Sequence, residues 1–343
     1  MRVSEIGEFA LIDRLACTLG AQTCPDLVIG IGDDAAVWRT ASGALALATT
    51  DALVEDVHFD LRTTPWEELG WKALAENISD IAAMGGRPRY ALVALGLPGD
   101  REVADIESLY RGMRSCGTEF GCCVVGGDVV RSPVVSIHVT VVGDSLPVVD
   151  SSDLPVLERS RAQPGDAIAV TGPLGGSAGG LRLLTGRVNQ GGDHAAASLL
   201  RHAHLRPMPR VAEGLAAVEA GIRCGMDVSD GLVADVNHIC ERSGVDALID
   251  AARVPRFPGI EALFGGDALD LALAGGEDYE LVCVAPAATL DRAQALFKAR
   301  GLRPLIVVGS VAEPECDRPR ARLRMPDGTR VEPVVAGYEH FRG

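Results

Sequence analysis

Six aspartates offer this sequence's most specific chemistry: Asp33, Asp34, Asp51, Asp128, Asp227 and Asp230. Each is expected at a strand end or in a turn, and most follow an apolar run. Open α/β layers gather ligand sites at such places. Carboxylates crowded together repel one another unless cations neutralise them. Hard oxygen ligands without His or Cys favour Mg²⁺ or Mn²⁺, and Mg²⁺ usually combines one or two carboxylates with substrate phosphates. Lysine is nearly absent, with only Lys72 and Lys298 in the chain. The P-loop pattern GxxxxGK[ST] is missing, which excludes phosphate binding by a P-loop lysine. The set therefore suggests metals, and not lysines, screening a polyphosphate.

Each aspartate also has a plainer reading. Asp33-Asp34 between glycines suits an ordinary turn. Asp51 after Thr49-Thr50 suits a turn cap, Asp128 after Gly126-Gly127 a loop, and Asp227 and Asp230 helix caps. Asp80 follows Glu76 by four residues and Lys72 by eight, the spacing of a solvated charged stripe. The recurrence of these aspartates, and not any one of them, points to a metal site. The glycine-rich run Thr171–Leu181 either turns backbone N–H groups toward phosphate or packs a helix closely through small residues. His202 and His204 read as a linker, because no third metal ligand is in view. Cys122-Cys123 falls in an expected buried strand and does not suggest a catalytic thiol.

Stepping outward, 343 residues fit about two domains. Charged residues are 23% and hydrophobic residues 47%, so a globular core is expected. The net charge of −15 argues against unaided binding to nucleic acid or an anionic membrane. No apolar run is long enough to span a bilayer. The N-terminus lacks signal-peptide order. Nine cysteines without zinc spacing read as reduced thiols of a cytoplasmic protein.

Helical and strand periods alternate, predicting a two-domain α/β (α+β type) fold. A helix is expected over Ser4–Leu19 and strands over Leu27–Ile31 and Leu45–Thr49. Thr64 as N-cap, Pro65 at the first helical position and Glu67 closing a capping box predict a helix to about Met84. Strands follow at Tyr90–Leu97, Cys122–Val125 and Val134–Val142, around a helix over Glu102–Phe120. Gly143–Pro164 reads as the domain junction, giving domains 1–148 and 149–343. In the second, strands are expected at Asp166–Thr171, Gly225–Val228, Tyr279–Ala285 and Pro304–Val308. Helices are expected at Pro209–Ala220, after Ser229-Asp230-Gly231, and at Thr289–Arg300.

The motifs resemble those of the thiamine-monophosphate kinase family. Gly30-Ile31-Gly32-Asp33-Asp34-Ala35-Ala36, Thr49-Thr50-Asp51, Val57-His58-Phe59, Lys72-Ala73-Leu74-Ala75 and Asn77-Ile78-Ser79-Asp80 occur in its order. So do Ala82-Ala83-Met84-Gly85, Gly126-Gly127-Asp128, Asp227-Val228-Ser229-Asp230-Gly231-Leu232, Gly275-Gly276-Glu277-Asp278-Tyr279-Glu280-Leu281 and Gly337-Tyr338-Glu339-His340-Phe341. The likeness runs from Glu8 to Phe341. It implies phosphorylation of thiamine monophosphate by ATP, the last step to thiamine diphosphate. It also implies the aminoimidazole-ribonucleotide synthetase-like fold, with N-terminal mixed sheets pairing in a homodimer and a C-terminal domain completing the site. By the same resemblance Asp34, Asp51, Asp80, Asp128, Asp227 and Asp230 hold several Mg²⁺ ions, with Thr49 and Thr50 adding oxygens. Asp128 and Asp227 are the catalytic candidates. Gly127, Asp128, Arg159 and Ser229 match ATP-contacting positions, and His58, Glu277 and Tyr338 match the thiamine-phosphate pocket. Glu55-Asp56 before His58 departs from the family, which often has glycine there.

The chemistry suits this reading. A phosphate monoester with a second pKa near 6 is already mostly dianionic at pH 7, so it needs no general base. Repulsion between two anions is the obstacle, and direct in-line transfer between metal-positioned oxygens is expected. Two rivals remain at the sequence level. One is an ATP-dependent synthetase of the same fold, disfavoured because no lysine precedes Lys72. The other is a non-catalytic nucleotide-binding relic, whose aspartate set should show gaps.

Overall fold

The computed structural model describes residues 5, 7–19, 24–149, 152–186 and 193–332. Tyr338 lies outside them. The elements in chain order are α1 (Glu8–Leu19), β1 (Leu27–Ile29), β2 (Ala36–Arg39), β3 (Leu45–Val54), α2 (Trp66–Ala83), β4 (Arg87–Leu97), α3 (Val103–Phe120), β5 (Cys123–Arg131) and β6 (Ser136–Asp144). The chain continues through β7 (Ala167–Val170), α4 (Gly176–Leu184), α5 (His194–Leu205), α6 (Val211–Glu219), β8 (Cys224–Asp227), α7 (Leu232–Ser243) and β9 (Asp246–Asp250). It ends with α8 (Ile260–Phe264), α9 (Ala268–Ala274), β10 (Leu281–Ala285), α10 (Ala287–Ala299), β11 (Ile306–Ala312), β12 (Ala321–Arg324) and β13 (Arg330–Val331).

Two sheets organise these elements. The first has six strands in the order β1-β2-β3-β6-β4-β5, and the second has seven in the order β13-β12-β9-β11-β7-β10-β8. Pairing is antiparallel except for β4 with β5 and β9 with β12. Each sheet lies against its own apolar cluster. One is built from Leu47, Ile78, Val93 and Met113, the other from Ile168, Met226, Val236 and Val282.

Helix α2 joins the two units. It packs on β3 and β6 of the first sheet and on α6 and β8 of the second. Apolar residues surround it on most sides, as a central buried helix requires. Glu67 and Glu68 in its first turn complement the helix dipole. Its start differs from the expected capping box: Pro65 is the N-cap and no side chain caps the helix. Thr64 is instead buried. Helix α3 approaches so closely that a Cβ on Gly70 would lie 1.8 Å from the Leu109 carbonyl oxygen. This crossing fixes α2 over the sheet.

Several aspartates expected at strand ends lie elsewhere. Strand β3 runs on to Val54, so Thr49, Thr50 and Asp51 are interior to it. Strand β5 likewise includes Gly126, Gly127 and Asp128. A Cβ on Gly127 would lie 1.9 Å from the Val93 carbonyl oxygen, so this glycine serves close strand contact. The segment read as a linker around His202 and His204 is helix α5. Cys122 is buried as expected, but Cys123 is exposed.

Candidate functional site

A cleft of about 560 Å³ opens between the two units and is floored by α2. Its walls include Asp33, Asp34, Thr49, Thr50, Asp51, Asp80, Arg159, Ser229 and Asp230 at one end, with His58, Glu76, His204, Glu277 and Tyr279 also lining it. Residues 72, 76 and 80 follow one another at the i, i+4 spacing that keeps one helix face together. The expected solvated stripe is not solvated: Lys72 is 2% and Glu76 8% exposed. Glu76 and Asp80 of this stripe line the site, and Lys72 pairs with Glu277 of its wall.

At the Asp80 end, carboxylate oxygens of Asp34, Asp80 and Asp227 lie within 4.8 Å of one another. Strand β8 delivers Asp227, β3 delivers Thr49 and Asp51, and the turn after β1 delivers Asp33 and Asp34. The Thr49 hydroxyl donates to Asp80, and Ser79 donates to Asp227. The Thr50 hydroxyl instead meets the Val139 carbonyl oxygen and Thr140 Oγ1, turned to the neighbouring strand. Among the described residues, Asp34 Oδ2 and Asp227 Oδ1 are buried with no hydrogen-bond partner. Burial first and neighbouring carboxylates second raise Asp33 to about 7 and Asp227 to about 8, and hold Asp80 well above the ordinary range. Arg159 opposes this: its guanidinium pairs with Asp34 and its backbone N–H donates to Asp33 at 3.2 Å. One guanidinium among so many carboxylates leaves a deficit of positive charge. The donor set is all oxygen and suits a hard divalent cation. Asp230 stands beside a further group, with Asp235 and His238.

The Lys72 end is different. Lys72 Nζ lies 2.8 Å from Glu277 Oε1, and His204 Nδ1 lies 3.3 Å from Glu277 Oε2. Ser177 Oγ is 3.0 Å from His204 Nδ1. Burial pushes the Glu277 carboxyl up, but Lys72 and His204 outweigh it and hold the group below the usual carboxylate range. Glu277 and Tyr279 have φ of 63° and 50°, a left-handed region that non-glycine residues rarely occupy. Pairing of β8 with β10 explains their place, since Leu281 faces Asp227 and the turn before β10 folds back over Ser229. The Glu277 N–H donates to the Ser229 carbonyl oxygen at 2.7 Å. Nearby, His58 Nδ1 accepts from the Val54 N–H at 3.0 Å. Asp56, where glycine is common in the family that the motifs resemble, takes φ of 63°, a conformation that Asp tolerates better than most residues.

The cleft thus gathers Asp34, Thr49, Thr50, Asp51, Asp80, Arg159, Asp227, Ser229, Asp230, His58 and Glu277. It does not include Gly127 and Asp128. These lie on edge strand β5 and line a separate groove of about 1110 Å³ with Tyr110. The glycine-rich run uses N–H groups at the start of α4 within the protein. Gly175 and Ser177 donate theirs to the Asp278 carboxylate at 2.5 and 3.0 Å, closing the start of α4. The small residues there serve close packing, since a Cβ on Gly176 would meet Phe257 at 2.5 Å. Sequence reasoning missed Lys72, Glu76, Ser177, His204 and Tyr279. For Lys72 the signal was available: a near-absent residue type, four residues before an acid on an apolar helix.

Residues 32–144 match the AIR synthase related protein N-terminal domain, and residues 163–318 match the corresponding C-terminal domain. The chain is 36% identical to a thiamine-monophosphate kinase of Synechococcus elongatus, over 99% of this chain and 98% of that protein. A solved structure described as AaThiL complexed with AMPPCP and TMP is 34% identical, covers 99% of each chain and superposes with a TM-score of 0.83. The thiamine-monophosphate kinase of Stenotrophomonas maltophilia K279a is 39% identical over 94% of this chain and 96% of that one, with a TM-score of 0.73.

Proposed function

The chain belongs to the thiamine-monophosphate kinase family, and on that premise we propose how its cleft performs the family's reaction. It phosphorylates thiamine monophosphate with ATP, giving thiamine diphosphate and ADP. The observation that carries the site assignment is the pair of buried, unpartnered oxygens, Asp34 Oδ2 and Asp227 Oδ1. An oxygen buried without a partner costs stability, so its retention fits a bound cation. Asp34, Asp51, Asp80, Asp227 and Asp230 would hold Mg²⁺, with Thr49 orienting Asp80 and Ser79 orienting Asp227. Mg²⁺ bound there supplies the positive charge that two approaching anions need.

The protein's own groups do the rest. Arg159, placed against Asp33 and Asp34, offers a guanidinium to nucleotide phosphate, and Ser229 lies on the same wall. Glu277 and His58 shape the organic end of the acceptor's pocket. The cleft walls hold the acceptor dianion in line with the γ-phosphorus, and no side chain need remove a proton. Transfer is direct, because among the described residues the Asp34, Asp80 and Asp227 group includes no thiol or imidazole to carry the phosphoryl group. Inversion at a chiral γ-phosphorus is the expected outcome; retention would refute direct transfer.

Asp128 and Gly127 enter this scheme through a second copy of the chain. Strand β5 is an open edge, and Tyr90, Leu92, Val125, Val129 and Val130 on β4 and β5 are all about half exposed or more. An open apolar strand edge favours pairing with another chain. We infer a homodimer through this face, with Asp128 and Gly127 serving nucleotide and metal only once it forms. Light scattering of the purified protein and of Val129→Glu tests this. The variant should be monomeric and have lost most turnover; a fully active monomer overturns the arrangement. ADP release with and without thiamine monophosphate, across a Mg²⁺ titration, tests the function as a whole. ADP formation that ignores thiamine monophosphate would sink it.

A further inference from the structure

His204 lies outside the motifs quoted above, yet it is 6% exposed and lies in the cleft wall. Its Nδ1 faces two oxygens, Ser177 Oγ at 3.0 Å and Glu277 Oε2 at 3.3 Å. A carboxylate only accepts, so a bare Nδ1 would set lone pair against lone pair. The arrangement that satisfies every group puts the proton on Nδ1. Ser177 Oγ then donates to Glu277 Oε2, 3.4 Å away. Burial and the neighbouring Lys72 charge hold the imidazole below its ordinary pKa, against the pull of Glu277. A neutral ring with its proton on Nδ1 has a bare, accepting Nε2. His58 shows the opposite pattern. Its Nδ1 accepts from a backbone N–H, so its Nε2 carries the proton. The cleft therefore contains one imidazole locked as an acceptor and one locked as a donor.

Position adds to chemistry. Lys72 and Asp80 stand eight residues apart on α2, about 12 Å along the axis at 1.5 Å per residue. The Lys72 end, with Glu277 and His204, is thus separated from the carboxylate cluster by about the span of a small organic phosphate. With the phosphate of thiamine monophosphate at the cluster, its 4-aminopyrimidine is the group that reaches the far end. That ring's amino group is a hydrogen-bond donor.

We propose that His204 is a specificity-determining residue, its Nε2 accepting a hydrogen bond from the 4-amino group of the acceptor's pyrimidine, with Glu277 and Ser177 fixing the tautomer that makes it an acceptor. This rests on the acceptor reading above and deepens it. A site that offers an acceptor to a donor rejects an analogue presenting an oxygen there, because two acceptors are left facing each other.

The test is steady-state kinetics at saturating ATP and Mg²⁺ with thiamine monophosphate and oxythiamine monophosphate, whose ring carries oxygen in place of the amine. Wild-type protein should prefer thiamine monophosphate by about tenfold or more in kcat/KM. His204→Phe should remove most of that preference through KM for thiamine monophosphate, with KM for ATP unchanged. His204→Gln, whose side-chain carbonyl accepts, should restore part of it. Equal use of both compounds by the wild-type protein overturns the proposal, as does a His204→Phe variant that keeps the full preference. Should His204→Phe fail to fold, the wild-type ratio and His204→Gln still decide. Turnover of neither compound would refute the acceptor reading itself, an outcome distinct from equal turnover of both.

Discussion

The two ends of the cleft hold the same kind of group under opposite conditions. At one end Glu277 is paired with Lys72 and His204, and its carboxyl is held below the ordinary range. At the other, Asp227 is buried among Asp34, Asp51 and Asp80, and its carboxyl is pushed up to about 8. Elsewhere in the second unit Glu280 shows the completed form, with Arg210 donating to both oxygens at 2.6 and 2.7 Å. The fold can supply a cation to a buried carboxylate when it needs a permanent structure. The carboxylate cluster is the place where it does so only in part, through Arg159. What the protein withholds there, the reaction's cations are expected to provide.

Removing a carboxylate from the incomplete end should give the largest effect. Asp227→Asn is expected to lower kcat by about a thousandfold, the scale of losing a group that positions transition-state charge. The metal-free protein should meanwhile gain stability above pH 8, where the ionised Asp227 would otherwise repel its neighbours. Turnover assays and thermal unfolding in EDTA check both halves; near-normal turnover at saturating Mg²⁺ would show that Asp227 holds no metal. Lys72→Met attacks the complete end. Stranding Glu277 should cost about 2–3 kcal/mol, less than for a fully buried pair because Glu277 keeps some solvent contact. Denaturant unfolding measures it, and adding Glu277→Gln should recover much of the loss. A Lys72→Met variant as stable as wild type would erase the contrast between the ends.

A smaller effect appears with pH. Asp227 titrates near 8 when folded, against an ordinary 3.8. Between those values the folded state holds a proton that the unfolded state has lost, so stability falls as pH rises. Without divalent cation the protein should therefore unfold at a lower temperature at pH 8 than at pH 5. Mg²⁺ should raise the midpoint more at pH 8, where the carboxylates are most fully ionised. An equal Mg²⁺ shift at both pH values would place the cation elsewhere.

Much of this was legible in the residues. The run from Pro65 to Gly85 announced α2 almost to its ends, and recurring aspartates announced an acidic site. What failed were inferences that read polarity as exposure. Lys72 and Glu76 have surface spacing, but a helix enclosed by two sheets has no solvated face, and neighbouring chain segments decide that. Asp128 and Asp51 suggested turns because glycines or threonines precede them, yet cross-strand pairing overrode local preference. His204 was hidden in a helix whose start follows a glycine-rich stretch. The role proposed for it depends on Glu277, 73 positions away in sequence, which no local pattern reveals.

Helix α2 has one more consequence. Because Asp80 and Lys72 are turns of the same rigid rod, the separation between the two ends is set by backbone geometry and not by loops. With the acceptor placed as proposed, the helix would work as a calliper: an acceptor shortened or lengthened between phosphate and ring should touch one jaw or the other, and miss productive engagement with both.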